Sequence, residues 1–90
     1  MTLTPFEKAE QRRKDSVFIS AAIATTEEML RVINESRAQV AAYKDFVQSG
    51  EQVTDVERDL TAQAVQDSQV ANQTLVTIAT LMEEKFGISA

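Results

Sequence analysis

The sequence predicts an all-α fold: two long antiparallel helices forming a helical hairpin that assembles with other copies into an oligomeric helix bundle or coiled coil. Three observations predict it. The single proline and both glycines of the 90 residues stand where helices begin or end. Each expected helix start carries a capping box. The apolar positions of the two segments form stripes that match when the chain is folded back on itself. Positions 1–90 therefore read as one domain, with helix 1 over about 5–48, a turn over 49–54 and helix 2 over about 55–86.

The first start is Thr4-Pro5 with Glu7 three residues after the threonine. That combines a capping hydroxyl, a proline at the first helical position and a glutamate that reaches back to the cap. Helix 1 then runs without glycine or proline. The Ala24-Thr25-Thr26 stretch crowds β-branched residues, and Thr25 with Glu28 offers a restart, but one continuous helix is expected. Gly50 supplies a left-handed cap after Ser49, and Thr54 with Glu57 repeats the capping box. Gly87 ends helix 2, where Ile88 is expected to fold back on Met82 in a Schellman-type contact. So few turn formers leave no room for a strand-rich fold.

In helix 2 the apolar stripe reads Val56, Leu60, Ala64, Asp67, Ala71, Leu75, Ile78, Met82 and Phe86, close to an eleven-residue repeat. Its counterpart in helix 1 reads Phe18, Ala22, Thr25, Met29, Ile33, Ser36, Val40, Tyr43 and Val47. Folded at the turn, the two pair antiparallel, with position numbers summing to 103 or 104. One layer is polar: Ser36 opposite Asp67 either fixes the register through a buried hydrogen bond or lets Asp67 turn to solvent or to Arg37.

Further apolar residues flank this seam towards the open end: Ile19, Ile23 and Leu30 on helix 1, Val70, Val76 and Leu81 on helix 2. Between positions 60 and 82 the only charged residue is Asp67. A solvated helix face normally carries charge, so a surface of Gln, Thr and Ala suits contact with other protein. The expected partner is a second copy, most simply in a dimer forming a four-helix bundle. The expected packing and oligomer residues are Phe18, Ile19, Ala22, Ile23, Met29, Leu30, Ile33, Val70, Leu75, Ile78, Leu81, Met82 and Phe86.

The chain has no histidine and no cysteine, which removes the usual neutral-pH base, the commonest metal ligand and any thiolate chemistry. Glu27-Glu28 and Glu83-Glu84 are neighbours that point to different helix faces, so neither pair is an acid–base dyad. No enzyme, no cofactor and no metal site is expected. The net charge of −5 argues against general nucleic-acid binding. Lys8, Arg12, Arg13 and Lys14 form the one basic group, interspersed with Glu7, Glu10 and Asp15, and read as a solvated arm with local ion pairs; phosphate contact is the alternative. The turn end is acidic: Asp45, Glu51, Asp55, Glu57, Asp59 and Asp67 against Arg58 alone give a local balance of −5. Asp55, Glu57 and Asp59 lack the glycine of a calcium loop, so the tip is expected to solubilise or to meet a basic partner surface.

No stretch is long and apolar enough for a membrane span, and the start lacks the pattern of a secretory signal, so a soluble protein of the cytoplasm, or of a particle assembled there, is expected. The architecture is similar to that of WXG-type secreted proteins, but the Trp-x-Gly turn is absent and Val47-Gln48-Ser49-Gly50 stands there instead. It is also similar to Rop-like hairpins, which dimerise into four-helix bundles and bind RNA; this chain is longer and matches none of their motifs. The expected function is a non-enzymatic structural, assembly or adaptor role through helix packing, as in a scaffold or virion component. The alternatives are a small acidic regulator that binds a basic partner surface through its turn end, and a nucleic-acid-binding bundle that uses the basic arm.

Overall fold

The computed structural model describes residues 2–88 and contains two helices packed side by side, α1 (Pro5–Ser49) and α2 (Asp55–Phe86). Both starts are capped by the expected threonine hydroxyls, but the reciprocal half of the capping box is not seen at α2, where the Glu57 carboxylate accepts from Gln39 instead. The Thr4 hydroxyl oxygen accepts from the Glu7 backbone N–H at 3.2 Å and donates to the Glu7 carboxylate at 3.0 Å. Thr54 accepts from the Glu57 N–H at 3.2 Å. Both caps satisfy N–H groups that the helix itself leaves without partners. Gly50 and Gly87 adopt φ of 75° and 66°, the left-handed conformation that ends each helix without a Cβ clash. At Gly87 the cap is a single bond from its N–H to the Glu83 carbonyl at 2.8 Å, the simpler left-handed cap in place of the expected Schellman pair, and Ile88 is exposed.

Helix 1 is unbroken through the threonine pair. Thr26 turns its hydroxyl back to the Ala22 carbonyl at 2.7 Å, which gives the β-branched residue a partner inside the helix instead of a new start. The chain is a rod of 69 × 19 × 15 Å with a radius of gyration of 20.1 Å, against about 12 Å for a compact domain of this length.

From the open end to Ser36 the seam follows a constant sum of 104, with Thr26 in place of Thr25; towards the turn the inward positions of α1 are Gln39 and Phe46, and Val40 and Val47 are exposed. Phe18 meets Phe86 with ring centroids 6.1 Å apart. Ala22 and Thr26 share a groove with Met82 and Ile78, and Ser36 and Val40 share another with Ser68 and Ala64. Towards the turn the seam differs from the predicted stripe. Glu57, Thr61 and Ser68 take the inward positions of α2, one place after Val56, Leu60 and Asp67, which are exposed. The α2 seam thus runs 57, 61, 64, 68, 71, 75, 78, 82, a regular four–three alternation. Asp67 turns outward and accepts from Gln63 Nε2 at 2.8 Å. The polar layer is Ser36 with Ser68, not Ser36 with Asp67.

The physical reason lies in the width of the contact. Two helices shield only the narrow strip between them, so small side chains there are covered completely while large ones stay half-exposed. Ala64, Ala71 and Ser36 are the buried residues, whereas Met29, Ile33, Leu75, Ile78 and Met82 are only half-buried. At the turn end Gln39 spans the gap, donating to Thr61 Oγ1 at 3.3 Å and to Glu57 Oε2 at 3.4 Å.

Candidate self-association surface

A seam residue on α1 and its partner on α2 define a plane through both helix axes. At about 100° per residue, the residue directly after a seam position swings to one side of that plane, and in an antiparallel pair both helices swing to the same side. Ile19, Ile23 and Leu30 follow Phe18, Ala22 and Met29; Val65 and Val76 follow Ala64 and Leu75. These five therefore share one flank of the hairpin, and all five are exposed. Ile19 and Ile23 border the groove that continues to Ile78 and Met82. The opposite flank carries the residues that precede seam positions: Val17, Val56, Leu60, Val70 and Leu81, before Phe18, Glu57, Thr61, Ala71 and Met82. These five are exposed as well.

The structure thus divides the expected packing residues into two groups. Phe18, Ala22, Met29, Ile33, Leu75, Ile78, Met82 and Phe86 face the seam within one chain. Ile19, Ile23 and Leu30 lie on one flank, Val70 and Leu81 on the other. Apolarity and spacing along the sequence separate seam residues from those beside the seam but do not tell the two flanks apart. The apolar stripe passes over the inward positions of Gln39, Glu57, Thr61 and Ser68; the four–three spacing through small residues is the signal that marks them.

Among the described residues no large side chain is fully buried. The accessible surface is 7051 Å², about a third above the roughly 5,200 Å² expected of a compact 10 kDa monomer.

The two charged ends lie far apart on the rod. Because α2 stops opposite Phe18, about 20 Å of α1 before that residue runs on without a helix beside it. Lys8, Arg12, Arg13 and Lys14 sit on this overhang, all exposed, and their spacing spreads them round the helix instead of gathering them on one face. Arg13 pairs with Glu10 at 3.7 Å, as the local ion-pair reading expects. At the other end Asp45, Glu51, Asp55 and Asp59 are exposed, while Glu57 is drawn inward by Gln39. Arg58 lies 3.4 Å from Asp55. Midway along α1, Arg31 bridges Glu28 and Glu35, the latter at 2.6 Å. Hydrogen bonding and the nearby charge of Arg31 hold the Glu28 carboxyl below the ordinary glutamate range.

Among the described residues no three acidic side chains converge as a metal site would require, and no helix is long and apolar enough to cross a membrane. The chain matches no family model, no curated protein and no solved structure.

Proposed function

We propose that this protein is a non-enzymatic assembly module, a helical hairpin that acts by packing against further copies of itself, as a scaffold or particle component does. One observation carries the reading: among the described residues the hairpin alone covers no large apolar side chain completely, and it leaves an apolar row on each flank. Each such side chain gains about 1.5–3 kcal/mol when fully removed from water, so association has a large reserve to draw on. The charge-poor 60–82 segment supports the same reading, because contact there desolvates almost no charge.

Light scattering at micromolar concentration tests it. The expected mass is a multiple of the 10.0 kDa chain. A well-folded monomer across that range overturns the proposal.

The exposed Asp45, Glu51, Asp55 and Asp59 favour a second reading, in which the acidic turn end covers a basic surface of another protein. Neutralising Asp55 and Asp59 would then weaken capture of that partner.

A further inference from the structure

We infer that the N-terminal overhang of α1 is the docking arm of an antiparallel dimer, in which it lies along the acidic turn half of a second copy of this chain. The inference rests on the self-association proposed above and adds its direction and its contacts.

The overhang is helical but has no neighbour in its own chain. Phe6 and Val17 are 77% and 66% exposed, and three helical turns apart they share one face. That face lies on the flank that also carries Val56 and Leu60, 66% and 51% exposed, at the turn end. Apolar residues on this flank therefore run from one end of the rod to the other.

Length then sets the match. The midpoint of α1 falls at Glu27. Two rods laid side by side in opposite directions about that midpoint place residues 5–17 of each beside residues 37–49 of the other, and with them beside 55–67 on α2. This is the acidic segment. Lys8, Arg12, Arg13 and Lys14 outweigh Glu7, Glu10 and Asp15 on the arm by one charge, whereas residues 37–49 and 55–67 together carry five acids against Arg37, Lys44 and Arg58, a balance of −2. On the flank of Val56 and Leu60 the turn half also presents Asp67; on the other flank it presents Arg37, Lys44 and Arg58. A parallel dimer would instead bring two −5 ends together, at separations where salt of about 0.15 M, with a screening length near 8 Å, leaves them repelling.

The area is sufficient. A stable dimer needs about 800 Å² from each partner, roughly a ninth of the rod's 7051 Å² of accessible surface.

The chain has no cysteine, so single cysteines carry spin labels without interference. Ala9→Cys labels the arm and Gln48→Cys labels the turn end. In mixed dimers with one label on each copy, the distance between positions 9 and 48 is expected at roughly 20–30 Å, while doubly labelled Gln48→Cys dimers give roughly 60 Å or more. A dimer in which two position-48 labels are close overturns the orientation and leaves self-association standing. A monomer by light scattering overturns both. Charge exchange provides a second arm. Arg13→Glu with Lys14→Glu is expected to raise the dimer dissociation constant about tenfold at low salt, and adding Asp59→Lys with Asp67→Lys to the same chain is expected to restore it. Helical circular dichroism verifies that each variant is folded, and a folded quadruple variant without restored affinity overturns the docking.

Discussion

Phe18 and Phe86 close the open end of the hairpin, their ring centroids 6.1 Å apart and their planes tilted by 51°. Lys85 Nζ lies 4.9 Å from the centroid of the Phe18 ring, so this ring meets both a second ring and a cation. This layer is the last of the seam, beyond which α1 continues alone.

Removing either ring has a predictable cost. Phe86→Ala is expected to destabilise the fold by about 1–2 kcal/mol, below the range for a fully buried phenylalanine because both rings are half-exposed. A double-mutant cycle between Phe18→Ala and Phe86→Ala is expected to give a coupling of about 0.5–1.5 kcal/mol in urea unfolding. Additive effects would mean that the rings do not meet in solution.

The register itself is tested by a contrast. Ser36 is buried against Ala64 and Ser68, so Ser36→Leu overfills the strip and is expected to cost about 1–3 kcal/mol. Asp67 faces water with only Gln63 as partner, so Asp67→Ala is expected to stay within about 0.5 kcal/mol of the parent. Equal losses at both positions would restore Asp67 to the seam.

Leu75→Asp or Ile78→Asp places a carboxylate between the helices with no cation to meet it. Either change is expected to abolish cooperative unfolding and assembly together. A variant carrying both that remained helical and oligomeric would refute the seam.

Gly50→Ala isolates backbone strain. Nothing lies within 4 Å of a Cβ added there, yet φ is +75°. The expected loss is about 1 kcal/mol, from the left-handed conformation alone. Gly50→Asn is expected to recover part of it, because asparagine tolerates that region better.

Acid acts on the Glu28–Arg31–Glu35 group. The folded-state pKa of Glu28 lies below its ordinary 4.5, chiefly through hydrogen bonding from Arg31 and secondarily through its charge. A depressed carboxylate contributes stability above its unfolded pKa and loses it as pH falls through the folded value. Carbon-13 NMR is expected to place the Glu28 midpoint below 4.5, and Arg31→Gln is expected to move it upward. An unchanged midpoint in that variant would show that the bridge does not persist in solution.

Most of the architecture was legible because helix ends are written in local chemistry. Thr4-Pro5, Gly50, Thr54 and Gly87 set the boundaries of α1 and α2 to within a residue. The open half of the seam was also legible, since Ala22, Met29, Ile33, Leu75, Ile78 and Met82 put apolar side chains at seam spacing. The turn half slipped by one place. Val56 and Leu60 drew the stripe towards themselves, but a two-helix strip selects residues that fit a close approach, and Ala64, Ser68 and Ser36 fit it. Charge position was readable too. The division of the remaining apolar residues between two flanks was not, because apolarity along one chain marks a surface without giving its side of the seam.

The stacked seam also makes the molecule's mechanical strength depend on direction. A load that spreads α1 and α2 apart at the open end strips one layer at a time, beginning with Phe18 and Phe86, and each step meets only that layer's resistance. A load along the long axis, pulling one helix past the other, strains every layer at once, while the five-residue connection from Gly50 to Thr54 prevents slippage. The rod should therefore yield gently to peeling and hold firmly under shear.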